Sequence, residues 1–229
     1  MARTPSRFAL AALSLALGVA SLTGCASNQP RALHMVERSG EHAYKLGDYS
    51  TAASEWREVV DRRPGRWDAR VWLAKSYLAL GQPKAAREQL EVAYTIKPLD
   101  NDVLELLATA MLESEDFRAM SSELRQRAED EGTVSAWMRY GTFLQKAGDF
   151  DSAETALLTA ARIDKGQRLE PQMALANLYR DAGDQRKAVA RLKNALWVSP
   201  GNERIMEALR SYGEVPGPTL AVVPPEYAD

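Results

Sequence analysis

The chain has 229 residues but one cysteine, Cys25, and two histidines, His34 and His42. One thiol cannot close an internal disulfide, and a cysteine-based zinc site needs more of them. The histidines stand eight residues apart. A zinc pair on one helix more often uses a spacing of four with a third ligand elsewhere. No metal or other cofactor is therefore expected. Glycines are not clustered into a phosphate loop, and no G-x-S-x-G nucleophile elbow occurs. Carboxylates are plentiful but spread along the chain, so no catalytic acid pair stands out and no enzymatic activity is expected. Excess positive charge is missing too. The first 24 residues hold two arginines and no acidic residue, which leaves 27 basic against 31 acidic residues in the rest. That balance gives no reason to expect a nucleic-acid partner. The apolar run Phe8–Leu22 is only 15 residues long, short of the ~20 that span a bilayer.

What is present begins with that run. The segment 1–7 carries Arg3 and Arg7, the apolar core follows, and "LTGC" closes it at residues 22–25. Basic start, short apolar core and small residues at the end have the form of a secretory signal. Leu22-Thr23-Gly24-Cys25 resembles the lipobox of bacterial lipoproteins. The resemblance implies cleavage between Gly24 and Cys25 and a covalent lipid on the Cys25 sulfur. An ordinary cleaved signal with a chance cysteine is the alternative. Two or three acyl chains anchor stably where one binds marginally, since each buried methylene contributes about 0.8 kcal/mol. Ala26, rather than aspartate, follows the cysteine. By the same resemblance that implies an outer-membrane anchor facing the periplasm. Residues 25–32 would then be a short tether.

A period appears beyond residue 32. "KLGDYSTAASEW" (45–56), "ALGQPKAAREQL" (79–90), "KAGDFDSAETAL" (146–157) and "DAGDQRKAVARL" (181–192) align without gaps. Each has a glycine, an alanine five residues later and a large apolar residue four beyond that. Gly47 and Gly81 are 34 residues apart, Gly148 and Gly183 are 35 apart, and a fifth member falls at Glu115. Such a period resembles the tetratricopeptide repeat, a helix–turn–helix unit. The resemblance covers about three quarters of the chain. It implies an all-α, right-handed superhelical solenoid of about five repeats over 33–202, at 33–66, 67–100, 101–133, 134–168 and 169–202. Residues 203–212 read as a capping helix, since an uncovered solenoid end exposes core. Small residues are expected where paired helices touch: Gly40, Ala74, Ala108, Gly141 and Ala176 on first helices, Ala52, Ala86, Ala153 and Ala188 on second helices. Pro64, Pro98 and Pro200 stop helices sharply.

The third repeat departs from this pattern. Glu115 replaces the turn glycine, Met120 the small alanine, and Arg127 stands where alanine is usual. Methionine at a close approach should push the helices apart or rotate them. Drift in a tolerant repeat is one reading; a soft joint between two halves is the other. Trp56 and Trp137 occupy core places, whereas Trp67, Trp72 and Trp197 could be partly exposed. Trp72 is the best candidate for a binding aromatic, although a core place is the reading favoured for it, and Trp197 is a candidate for packing on the closing helix. Arg57, Arg62, Arg63, Arg66 and Arg70 interleave with Glu58, Asp61 and Asp68, which reads as a solvated surface. Residues 213–229 hold four prolines and two glycines. They are expected to be a disordered tail, with extended binding of "TLAVV" to a partner or to the chain's own groove as the lesser reading.

Function is then expected on the concave face, which first helices line in the resembled family. The corresponding places are Glu37, Glu41 and Tyr44; Val71, Lys75 and Leu78; Glu105, Thr109 and Leu112; Met138, Thr142 and Gln145; Met173, Asn177 and Arg180. They run from acidic through apolar to polar with a cation. This suits an extended peptide or a helix laid into the groove. Glu37 and Glu41 would repel a terminal carboxylate, so the family's chaperone clamp is not expected. The expected role is a membrane-anchored protein-interaction scaffold of the bacterial envelope, with protein partners. A pilus or secretion-system assembly lipoprotein and a cell-wall hydrolase adaptor are alternatives. An enzyme, or a carrier of lipid or polysaccharide, is a rival that predicts a deep enclosed pocket.

Overall fold

The computed structural model describes residues 31–227. Gly24, Cys25 and Ala26, on which the signal and lipid readings rest, lie outside the described residues. The described residues hold eleven α-helices and two short 3₁₀ turns, with no strand among them. In chain order these are α1 Leu33–Lys45, α2 Tyr49–Arg62, α3 Trp67–Ala79, α4 Pro83–Ile96, α5 Asn101–Glu113, α6 Phe117–Glu131, α7 Val134–Lys146, α8 Phe150–Asp164, α9 Leu169–Asp181, α10 Gln185–Val198 and α11 Glu203–Ser211. The 3₁₀ turns are Pro218–Leu220 and Pro225–Tyr227. Ten helices pair as five antiparallel hairpins, and α11 packs on α10.

One local device makes most of the hairpin turns. Gly47, Gly148 and Gly183 adopt φ of 78°, 81° and 79°, a left-handed conformation that glycine reaches without a Cβ penalty. The amide after each donates to a carbonyl one turn back, as Asp149 N–H does to Leu144 at 3.0 Å. The same aspartate then accepts an N–H from the next helix: Asp48 from Thr51, Asp149 from Ser152, Asp184 from Lys187. Such caps contribute ~1 kcal/mol each. At the second turn Gly81 is also left-handed, but Gln82 makes no side-chain cap and Pro83 starts α4 instead. At the third turn Glu115 itself takes φ 61°.

Within each hairpin the alanines and glycines allow close approach. A Cβ at Gly40 would stand 2.8 Å from the Trp56 indole nitrogen, and one at Gly141 would stand 2.7 Å from Leu157. Ala52, Ala86, Ala153 and Ala188 are fully or almost fully buried. Leu73, Leu90, Leu124, Leu157 and Leu175 fill the space between them, each burial contributing ~1.5–3 kcal/mol. Met120 is buried with no exposed surface, and α5 and α6 pack on each other less extensively than the helices of the other hairpins. A methionine at the place of alanine accounts for this, by parting or rotating the two helices. Ile205 and Leu209 of α11 cover the last apolar face with Leu192 and Leu196.

Residues 213–227 correct the expectation of disorder. They fold back as a strap along α10. Val222 N–H donates to the Lys193 carbonyl at 3.1 Å, and Asn194 Nδ2 donates to the carbonyls of Val222 and Val223 at 3.0 and 3.2 Å. Tyr227 meets Trp197 edge to face at 4.8 Å. Trp197 thus packs against the strap, which lies on α10 and not in the first-helix groove.

Candidate functional site

The first helices α3, α5, α7 and α9 stand side by side and line a run of shallow hollows. The first, about 480 Å³, is walled by Lys75 of α3, Asp102, Glu105, Leu106 and Thr109 of α5, and Arg139, Thr142, Phe143 and Lys146 of α7. The second joins Glu105, Met138, Arg139 and Thr142 to Arg168 and Glu170 at the start of α9. The third joins Thr142, Gln145 and Lys146 to Asn177, Arg180 and Asp181. Thr142 borders all three, so they form one continuous groove rather than separate pockets.

Eight expected lining residues meet here: Lys75, Glu105, Thr109, Met138, Thr142, Gln145, Asn177 and Arg180. The others sit differently. Val71, Leu78 and Leu112 are half-buried against the main core, and Met173 against the C-terminal one. Tyr44 packs its ring on Tyr49 at 5.2 Å and Trp72 at 5.4 Å. Glu37 reaches Arg66 at 2.9 Å, which takes it up in a bridge between repeats; Glu41 is partly exposed.

The middle of the groove mixes apolar and charged groups: Leu106, Met138 and Phe143 border the hollows beside cations and carboxylates. Arg139, absent from the expected lining, lies there with its side chain only 9% exposed and its Nε 3.0 Å from Glu105. Lys146 places its ammonium 4.9 Å above the Phe143 ring, and Lys75 stands 5.0 Å above Trp72, geometries that favour a cation over a π-face. At the far end Gln145 donates to Asp181 at 2.6 Å, while Arg180 reaches Asp181 at 2.9 Å and Asn177 at 3.0 Å. The signal for Arg139 and Lys146 was their position one residue beyond the usual lining places, on the flank that faces the neighbouring hollow.

Trp72 is not a free binding aromatic: it stacks on Trp56 at 5.7 Å and 6°. The early arginines also do more than coat a surface. Arg57 donates to the Tyr77 hydroxyl at 2.6 Å, Arg66 spans Asp68 and Glu37, and Arg70 donates to the Pro64 carbonyl at 3.0 Å. They tie the first repeat to the second. Arg66 holds the Asp68 carboxyl below the ordinary aspartate range. His34 and His42 are both exposed. Among the described residues no three His, Cys, Asp or Glu side chains gather as metal ligands, and no helix is long and apolar enough to cross a membrane.

Two tetratricopeptide-repeat family models match the chain, over residues 38–101 and 134–167. A crystal structure of MamA protein is 19% identical with a TM-score of 0.56, covering 81% of this chain and 98% of that one. A second crystal structure of MamA is 20% identical with a TM-score of 0.54, covering 76% and 97%. TTC0263, a thermophilic TPR protein in Thermus thermophilus, is 22% identical with a TM-score of 0.50, covering 79% and 98%. At these identities the likeness shows fold alone. No curated protein matches the chain. The hairpins over residues 38–101 and 134–167 match tetratricopeptide-repeat models, and the fold is an all-α, right-handed superhelical solenoid of such hairpins.

Proposed function

We propose that the chain is a protein-interaction scaffold of the bacterial envelope, tethered through lipid on Cys25 and gripping a partner segment in the first-helix groove. One observation carries the groove reading. Four consecutive first helices share one continuous floor on which Thr142 borders every hollow. An extended peptide or a single helix fits such a surface, because contacts repeat along its length. An enzyme or lipid carrier would instead enclose its substrate, whereas this floor is open, with Arg139 paired to Glu105 and Arg180 to Asp181 along it. The mixed lining, with Lys75, Arg139 and Lys146 beside Asp102 and Glu105, suits a partner segment of mixed charge. The tether reading rests on the basic start, the apolar run and "LTGC" in that order. With Ala26 next, the anchor would lie in the outer membrane facing the periplasm.

Photo-crosslinking in living cells tests the groove. A probe at Thr142 should capture one dominant envelope protein, while a probe at Thr155, exposed on α8, should not. Capture of the same set from both positions would refute groove binding. Cys25→Ala should release the chain from the membrane fraction; retention would refute the lipid tether independently of the groove.

A further inference from the structure

The C-terminal strap is held by recognition chemistry rather than by bulk burial. Glu226, near its end, is almost wholly buried, with 5% of its surface exposed. One carboxylate oxygen accepts from Arg191 of α10 at 2.7 Å, and the other from Gln172 of α9 at 3.3 Å. Gln172 in turn accepts from Arg191 at 3.0 Å. Four residues earlier, Val222 and the α10 backbone exchange the N–H bond described above, and Asn194, itself 5% exposed, reads two successive strap carbonyls. Pro224 lies against Gly166, where a Cβ would come within 2.7 Å of the ring. Backbone reading, a carboxylate pocket and a ring slot are the parts of a peptide-binding site.

Mere capping of a solenoid end does not call for this. A buried ion pair adds little over well-packed apolar groups, but it discriminates strongly between partners that do and do not supply the charge. The strap also fits its bed incompletely. Apolar-lined hollows of about 520 and 530 Å³ remain beside it, one bordered by Tyr179, Ala190 and Val223, the other by Trp197, Met206 and Ala221. Its connection to α11 is short: Glu214 pairs with Lys193 at 2.9 Å, and beyond it Val215 is 87% exposed. No α-helix includes a strap residue, so release of residues 222–227 breaks none.

We propose that this face of α10 is a second docking site, for an extended, proline-flanked acidic segment of a partner protein, occupied in this structure by the chain's own residues 222–227. The site is distinct from the first-helix groove, and the strap is its cis competitor. A short connection gives a tethered segment a millimolar effective concentration, so a partner must outcompete it by filling the two hollows as well as the carboxylate pocket.

The test uses the full-length chain and a fluorescent peptide of residues 218–227, followed by anisotropy. Glu226→Ala in the chain weakens its own strap. The peptide should then bind about tenfold more tightly than to the unaltered chain, the cost of one charge-assisted hydrogen-bond network. The same peptide carrying Glu226→Ala should lose about as much, and Arg191→Ala in the chain should abolish binding. A second variant inserts a flexible Gly-Ser linker between Val215 and Pro216, which touches no strap contact. It should also tighten peptide binding, roughly threefold if the connection doubles in length. Equal affinity across the unaltered, Glu226→Ala and linker variants would overturn the proposal. So would indifference to the peptide's carboxylate. A concentration-dependent dimer that Glu226→Ala abolishes would overturn it in favour of tail exchange between two copies.

Discussion

Replacing Glu115 with glycine should stabilise the protein. Glu115 stands at the turn between α5 and α6 with φ 61°, while Gly47, Gly81, Gly148 and Gly183 occupy the same place in the other hairpins. Its amide donates to Leu112 at 3.1 Å and the next amide to Met111 at 2.9 Å, the same closure as at the glycines. Its side chain is exposed, so nothing but backbone strain distinguishes it. A left-handed L-residue costs ~1–2 kcal/mol. Glycine removes that cost but loses ~0.5–1 kcal/mol through its freer unfolded chain. Glu115→Gly should therefore gain roughly 0.5–1 kcal/mol, a rise in Tm of about 1–4 °C for a domain of this size. Gly148→Ala is the reverse experiment. A Cβ there meets nothing within 4 Å, so its loss, again ~0.5–1 kcal/mol, reports the backbone alone. Repeat arrays need not unfold in one step, so calorimetry should be joined by hydrogen exchange. Slower exchange confined to α5 and α6 would also test the soft-joint reading of the third repeat. A neutral or destabilising Glu115→Gly, beside a destabilising Gly148→Ala, would refute the left-handed turn at 115.

Met120→Ala restores the residue found at the equivalent place in the other repeats, yet it should destabilise by ~2–5 kcal/mol, because α5 and α6 pack around the buried methionine. A neutral result by denaturant unfolding would show that the helices close up. Gly141→Ala should cost ~1–3 kcal/mol by overpacking Leu157, and adding Leu157→Ala should cost less than the two separate losses combined, since the sites share one contact; strict additivity in a double-mutant cycle would refute the clash. The Tyr179 hydroxyl, then Lys187, holds the Glu154 carboxyl below the ordinary range, and Arg66 does the same for Asp68. Depressed carboxylates contribute stability above their unfolded pKa of about 4 and lose it as pH falls through the folded value. Denaturant midpoints should drop below about pH 4, and less steeply in Tyr179→Phe; an unchanged slope would separate Tyr179 from Glu154. Lys75→Glu with Lys146→Glu should weaken crosslinking from Thr142 at least tenfold, about 1.4 kcal/mol, in protein that circular dichroism shows still folded; undiminished capture would remove the groove's cations from partner binding.

The sequence by itself determined what depends on neighbours along the chain. Gly-Asp turns, the helices they separate, and the alanine and glycine faces of each hairpin all arise within about one repeat, so their spacing is visible in a linear string. The same holds for Met120, whose volume accounts for the less extensive α5–α6 packing. The tertiary structure decided what depends on residues brought together from several repeats. Arg139 joins the groove because Glu105, from the preceding repeat, stands 3.0 Å away, and Val71, Leu78 and Leu112 are half-buried because they pack against the main core. The tail was least legible. Its prolines and glycines rule out a helix, and composition carries no record of what a non-helical segment can bind. Its order comes from Arg191 and Gln172, 35 and 54 residues away from Glu226. A carboxylate finds a buried partner at that separation only after the solenoid has assembled α9 beside α10, since before then neither side chain has a fixed place to receive it.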